Sequence, residues 1–180
     1  MRHRNIKKII CLLVIMGNFL GMLDSSTVNL ALYPIAQGLN ITLTEVQWVV
    51  IAYMLVLTVF LPFFGKLGDI FPKNKVYGSG FLIFAIGALL NCTAPNFYTL
   101  LIFRCIEALG ASIMIANGPA VIATLFKGEK RGQALGLNAS LVAVGGMTGP
   151  AVGGALINFL GWRAIFLPSV PLAIIGAYLA

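Results

Sequence analysis

Charge is what this chain lacks. Only 9% of its 180 residues are Asp, Glu, Lys or Arg, five of those are acidic, and there is a single histidine. With 59% hydrophobic residues and a mean hydropathy of +0.98, an ordinary soluble domain is excluded. Cysteine is scarce too: Cys11, Cys92 and Cys105 lie in or at the ends of apolar runs without metal-type spacing, which assigns them to packing. His3 sits in a basic tail and reads as solvated. No nucleophile–base pair and no metal constellation appears, so neither an enzyme nor a bound cofactor or metal is expected. Low-complexity linkers are missing as well, and the short connections predict one compact helical bundle.

What is present is a series of apolar runs, each near the roughly 20 residues a helix needs to cross the hydrocarbon core. They predict spans at about 9–36, 46–65, 76–94, 97–126, 133–158 and from about 164. The sixth is still apolar from Ala173 to Ala180, with no stop signal, which predicts a helix cut short. The chain reads as a fragment or the front half of a longer protein. A signal peptide competes for the first run, with MRHRNIKK as n-region, but no small-x-small cleavage site follows and apolar character resumes after Asp24.

Lysine and arginine set the orientation. Arg2, Arg4, Lys7 and Lys8 precede the first span; Lys66, Lys73 and Lys75 lie between the second and third; Lys127, Lys130 and Arg131 lie between the fourth and fifth. Of the twelve basic residues, only Arg163 falls in an opposite loop and only Arg104 inside a span. The N-terminus is therefore expected in the cytoplasm of a multi-pass cell-membrane protein, with Trp48 and Trp162 in an outer aromatic belt. The net charge of +7 is a topology signal, and its scatter over three loops argues against a nucleic-acid partner.

Three charges interrupt the apolar runs: Asp24 in the first, Arg104 and Glu107 in the fourth. A charge at bilayer depth costs several kcal/mol, and such residues usually mark an ion or substrate pathway. At 1.5 Å per residue, Asp24 lies about 15 Å below Pro34, Arg104 about 10 Å below Phe97 and Glu107 about 15 Å below it. The three are expected to meet around one cavity. Arg104 and Glu107, three residues apart, can neutralise each other on one helix face; alternatively Glu107 titrates or attracts a cationic substrate. Both readings stay open. The leading helices of two inverted triplets would then hold the charges, a recurring transporter design. Asn18, Asn29, Asn117, Asn138 and Ser140 are cavity candidates, with interhelical packing as the plainer role.

The most specific pattern is Gly145-Gly146-Met147-Thr148-Gly149-Pro150-Ala151-Val152-Gly153-Gly154. Gly145, Gly149 and Gly153 form a stripe that admits another helix, and Pro150 removes a backbone donor. The string resembles the antiporter motif GxxxGPxxGG of the major facilitator superfamily at every specified position. Gly65-Lys66-Leu67-Gly68-Asp69, with Lys73 and Lys75, is similar to that superfamily's loop motif between helices 2 and 3, although Ile70, Pro72 and Lys73-Asn74 depart from it. Gly65 and Gly68 would permit a tight turn, and Asp69 would cap the next helix and pair with a cation such as Arg131, beside Gly132. Leu100 through Arg104 to Gly110-Ala111 looks like the helix 4 motif, whose arginine is linked to proton movement, with Glu107 for the usual Gln and Ala108 for Gly. The segment Leu23–Leu32 resembles the helix 1 motif of the drug:proton antiporters with fourteen spans: Asp24, Asn29 and Ala31 match, Ser26 stands for Thr, and Pro34 is displaced by one. Trp48–Tyr53 and Gly161–Phe166 look like the same subfamily.

The resemblance implies an all-α integral membrane fold, the N-terminal half-bundle with a 3+3 inverted repeat, here truncated in helix 6. It implies proton-coupled efflux of small lipophilic, often cationic compounds by alternating access, with partners in the substrate, protons, the lipid bilayer and a missing C-terminal half. Asp24, Arg104, Glu107 and Asn29 would serve proton coupling and substrate. Gly65, Asp69, Lys73, Arg131, Gly145, Gly149, Pro150, Gly153 and Gly154 would serve gating. A buried acid between these influences could load a proton outside and release it inside. Alternatives are a sugar or metabolite symporter or uniporter on the same fold, and a truncated half-bundle that transports nothing.

Overall fold

A computed structural model describes the backbone of residues 2–126 and 128–180, and side chains from Ile10 onward except Lys73 and Lys127. Expectations for His3, the basic N-terminal side chains, Lys73 and Lys127 therefore lie outside the described residues. Helices α1 (Arg2–Leu39), α2 (Leu43–Val46), α3 (Trp48–Ile70), α4 (Lys73–Cys92), α5 (Phe97–Leu125) and α6 (Glu129–Leu160) lead to a 3-10 turn, Trp162–Phe166, and α7 (Ser169–Leu179). Among the described residues six stretches are long and apolar enough to cross a membrane. Helices suit such sequence because every backbone N–H and C=O is satisfied within the segment.

The ends of the elements differ from the hydropathy reading for local reasons. The second span is preceded by α2, opened by a capping box in which Thr42 and Glu45 satisfy each other's backbone N–H groups. The sixth begins as the 3-10 turn, and Pro168 precedes α7 at its N-cap. The Gly65–Asp69 segment is a correction: it forms no turn, because α3 runs helical through it to Ile70. The helix stops at Phe71, which is extended at ψ 159°, as the residue before proline is pushed out of the α region. Asp69 accordingly does not cap α4, whose N-cap is Pro72 without a side-chain bond.

Glycines position the helices. On α6, Gly145, Gly149 and Gly153 are buried against α1: a Cβ on Gly149 would stand 2.7 Å from Ser26 Cβ, and one on Gly153 2.6 Å from Thr27 Cγ2. The Ser26 hydroxyl donates to the Gly146 carbonyl at 2.7 Å across the same seam. The stripe thus packs inside this bundle, against its first helix. On α3, Gly68 abuts the Asn117 amide of α5, which donates to the Phe64 and Ile113 carbonyls at 3.1 and 2.9 Å. On α4, a Cβ at Gly87 would lie 2.5 Å from Glu107 Cα. These contacts obey the exchange expected of two three-helix repeats: the first span packs on the fifth as the fourth packs on the second, and the third packs on the fourth as the sixth packs on the first.

The core has two apolar clusters. Tyr53, Phe81, Phe84, Met114 and Ile122 belong to one; Val28, Ile35, Val49, Leu100 and Phe166 belong to the other. Trp162 joins the second cluster instead of standing in an outer belt, because Gly38 leaves room for its indole beside α1. Arg163 stacks on that ring at 4.2 Å and donates twice to the Ala94 carbonyl, at 3.1 and 2.8 Å. Trp48 is exposed. The outward faces are apolar, as at Leu55, Val59 and Phe63 of α3 and Met147 and Phe159 of α6, which fits a hydrocarbon surrounding.

Candidate functional site

Five residues from four helices converge between the two clusters. Arg104 of α5 donates from one nitrogen, Nη1, to both acids: to Asp24 Oδ2 of α1 at 2.7 Å and to Glu107 Oε2 at 2.6 Å. Asn91 of α4 donates to the same Glu107 oxygen at 2.7 Å. Tyr53 of α3 lays its ring 4.2 Å from the guanidinium carbon, and Phe166 stands on another side at 5.8 Å. None of Asp24, Tyr53, Asn91, Arg104 and Glu107 is more than 2% exposed.

The helices make this possible locally. The i,i+3 spacing puts Arg104 and Glu107 on one face of α5, and Gly87 lets α4 come close enough for Asn91 to reach Glu107. Asp24 arrives from α1, held at its height by the α6 glycine seam.

Electrostatically the cluster is unbalanced. Two carboxylates face one guanidinium, so the ionised site carries an excess negative charge that one proton would cancel. It is also incompletely bonded: Asp24 Oδ1, Glu107 Oε1, Arg104 Nε, Asn91 Oδ1 and the Tyr53 hydroxyl have no hydrogen-bond partner. Among the described residues these are the buried side-chain atoms left without one. Buried polar atoms are normally satisfied, and exceptions ask for a reason. A site that changes its proton or its packing during function supplies one.

The structure thus brings Asp24, Arg104 and Glu107 together as expected from their depths, but beneath a cover and not around open space. The adjacent cavity, about 410 Å³, is lined by Asn18, Ser25, Tyr53 and Asn138 among others, and Asp24 does not reach it. Asn29 is exposed on α1 and is not among the residues that line this cavity. Ser140 is exposed too and bonds its own helix at Gly136. Asp69 and Arg131 are exposed and form no ion pair with each other. Gly65 has open space where a Cβ would stand, Gly154 meets only Leu30 at 3.7 Å, and Pro150 is exposed within a continuous α6. Asn91 and Gly87 escaped the sequence reading, and Tyr53 and Phe166, which end two segments that resemble the subfamily, received no role at the site from it. Asn91 had a signal, a polar amide near the end of an apolar run; Tyr53 reads as an ordinary amphipathic aromatic.

Residues 14–180 match the family model described as Major Facilitator Superfamily. The chain belongs to the major facilitator superfamily. It is 39% identical over 173 residues to the Riboflavin transporter RibZ of Clostridioides difficile (strain 630), covering 96% of this chain and 38% of that relative. It is 32% identical over 163 residues to the Multidrug transporter protein MdtP of Bacillus subtilis (strain 168), covering 91% of this chain and 30% of the relative. The chain therefore spans less than two fifths of the length of these relatives. Among solved structures it resembles the proton:xylose symporter XylE bound to 6-bromo-6-deoxy-D-glucose, with a TM-score of 0.83 at 15% identity, over 98% of this chain and 44% of that one. That likeness shows the major facilitator fold, and the coverage matches an N-terminal half-bundle.

Proposed function

We propose that this chain is the N-terminal half of a proton-coupled exporter of small lipophilic compounds in the cell membrane, with its N-terminus in the cytoplasm. One observation carries the reading: two buried carboxylates share a single guanidinium nitrogen, in a cluster that holds five unpartnered polar atoms. A purely structural ion pair needs one acid. The second acid gives the cluster a place for one proton, and alternating access would expose that place to each side in turn. Asp24 is the proton carrier in this scheme, because it joins α1 to α5 across the bundle. Gly65, Asp69, Lys73 and Arg131 would form the cytoplasmic gate, and the glycine seam with Pro150 would let α1 and α6 move as one unit. Multidrug relatives support a lipophilic cargo. The 39% identity to a riboflavin transporter favours a second reading, in which the cargo is a vitamin-like heterocycle.

The test uses the full-length protein in proteoliposomes. Asp24→Asn is expected to abolish transport driven by a pH gradient while leaving substrate exchange without a gradient. Full gradient-driven transport by that variant would refute the carrier assignment.

A further inference from the structure

The cavity beside the charged cluster is built without charge. On its walls the Asn18 side chain of α1 donates from Nδ2 to the side-chain amide oxygen Oδ1 of Asn138 on α6 at 2.9 Å, and Met22, Ser25, Tyr53 and Met54 line the cavity with them. Among the described residues no ionisable acid or base other than the Tyr53 phenol lines it. Asp24, Glu107 and Arg104 are no more than 1% exposed and are engaged with one another, and Tyr53 belongs to both sites: it covers Arg104 with its ring and lines the cavity. A cationic guest would find no free carboxylate, and an anionic guest no free guanidinium.

The amide pair, by contrast, is only half used. One contact consumes one N–H and one carbonyl lone pair, and each Asn amide has two donors and an acceptor oxygen. Whichever way the amides are turned, the pair retains N–H and C=O groups side by side. Their complement is a molecule that presents a C=O and an N–H next to each other on one edge. The methionine thioethers and the tyrosine ring add polarisable, apolar walls that suit a flat aromatic body.

The geometry points to a substrate class: uncharged, flat heterocycles with a lactam or imide edge, recognised in this half by Asn18 and Asn138, with no charge read by Asp24 or Glu107. Asn18 and Asn138 are thus specificity-determining residues. The inference rests on the proposed transport function, and it replaces the often cationic cargo implied by the family resemblance.

The test measures binding to the purified full-length protein in lipid nanodiscs by fluorescence, using naphthalimide, its N-methyl derivative and the flat cation N-methylacridinium. In the unaltered protein, naphthalimide should bind at least about tenfold more tightly than either of the others, a tenfold ratio being about 1.4 kcal/mol. Asn18→Ala and Asn138→Ala should each erase most of the preference for the N–H imide, while binding of the N-methyl form changes little. Equal binding of the two imides, cation binding as tight as imide binding, or binding of none of the three overturns the inference. The three-probe comparison needs no variant, so a misfolded substitution leaves it decisive. The proton scheme fails separately: a pH gradient would then not drive transport even though the binding order held.

Discussion

Replacing Glu107 with glutamine asks which acid neutralises Arg104. The two side chains are isosteric, so the amide oxygen takes the place of Oε2, which accepts from Arg104 Nη1 at 2.6 Å and Asn91 Nδ2 at 2.7 Å. The bond from Asn91 falls from charge-assisted to neutral, from about 1.5–3 to about 0.5–1.5 kcal/mol, a loss of about 1 kcal/mol. The bond from Arg104 keeps its charged donor, and Arg104 keeps Asp24 at 2.7 Å. The variant also removes the surplus buried carboxylate, which offsets the loss, and the net change is expected within about 1 kcal/mol. Arg104→Ala is the contrasting case, since it strands two buried carboxylates without a cation and should cost about 3–5 kcal/mol. Unfolding of the full-length protein in mixed micelles, titrated with a denaturing detergent, compares the two variants directly. If Glu107→Gln is as damaging as Arg104→Ala, then Glu107 is the counter-ion that Arg104 requires, and Asp24 alone does not neutralise the guanidinium.

The glycines give a graded set. Gly65→Ala enters open space inside a helix and should stabilise by about 0.5–1 kcal/mol. Gly68→Ala collides with the Asn117 amide and should cost about 1–3 kcal/mol; the same unfolding assay reads both, and equal effects would refute the α3–α5 seam. Gly149→Leu should reduce the amount of folded protein in the membrane, because its partner α1 lies in the same bundle, against Ser26; normal folding of that variant would refute the α1–α6 seam as a folding contact. In a background without Cys11, Cys92 and Cys105, a cysteine at Gly128 should label only from the cytoplasm and one at Thr42 only from outside. The reverse pattern would sink the orientation.

Sequence by itself determined the class of fold, the spans and the charges worth watching. Hydropathy and helix length act locally, through the transfer of side chains and backbone into hydrocarbon, so they need no knowledge of neighbours. The depth of Asp24, Arg104 and Glu107 was legible for the same reason, since rise per residue is a property of one helix. Partners were not legible. Gly149 has a helix-packing signature, but only the fold shows that its neighbour is Ser26 of α1. The Gly65–Asp69 segment carries turn residues, yet the helix continues through it until Pro72 imposes a stop. Nothing in the spacing of Asn91 or Tyr53 reveals that α4 and α3 bring them to Arg104, because those contacts span sequence separations that no local periodicity records. Tertiary packing also decided that the charged cluster is covered by Tyr53 and the neighbouring cavity uncharged: which face of a helix meets protein, lipid or space depends on how all the helices pack, through complementarity of shape between distant glycines and large side chains.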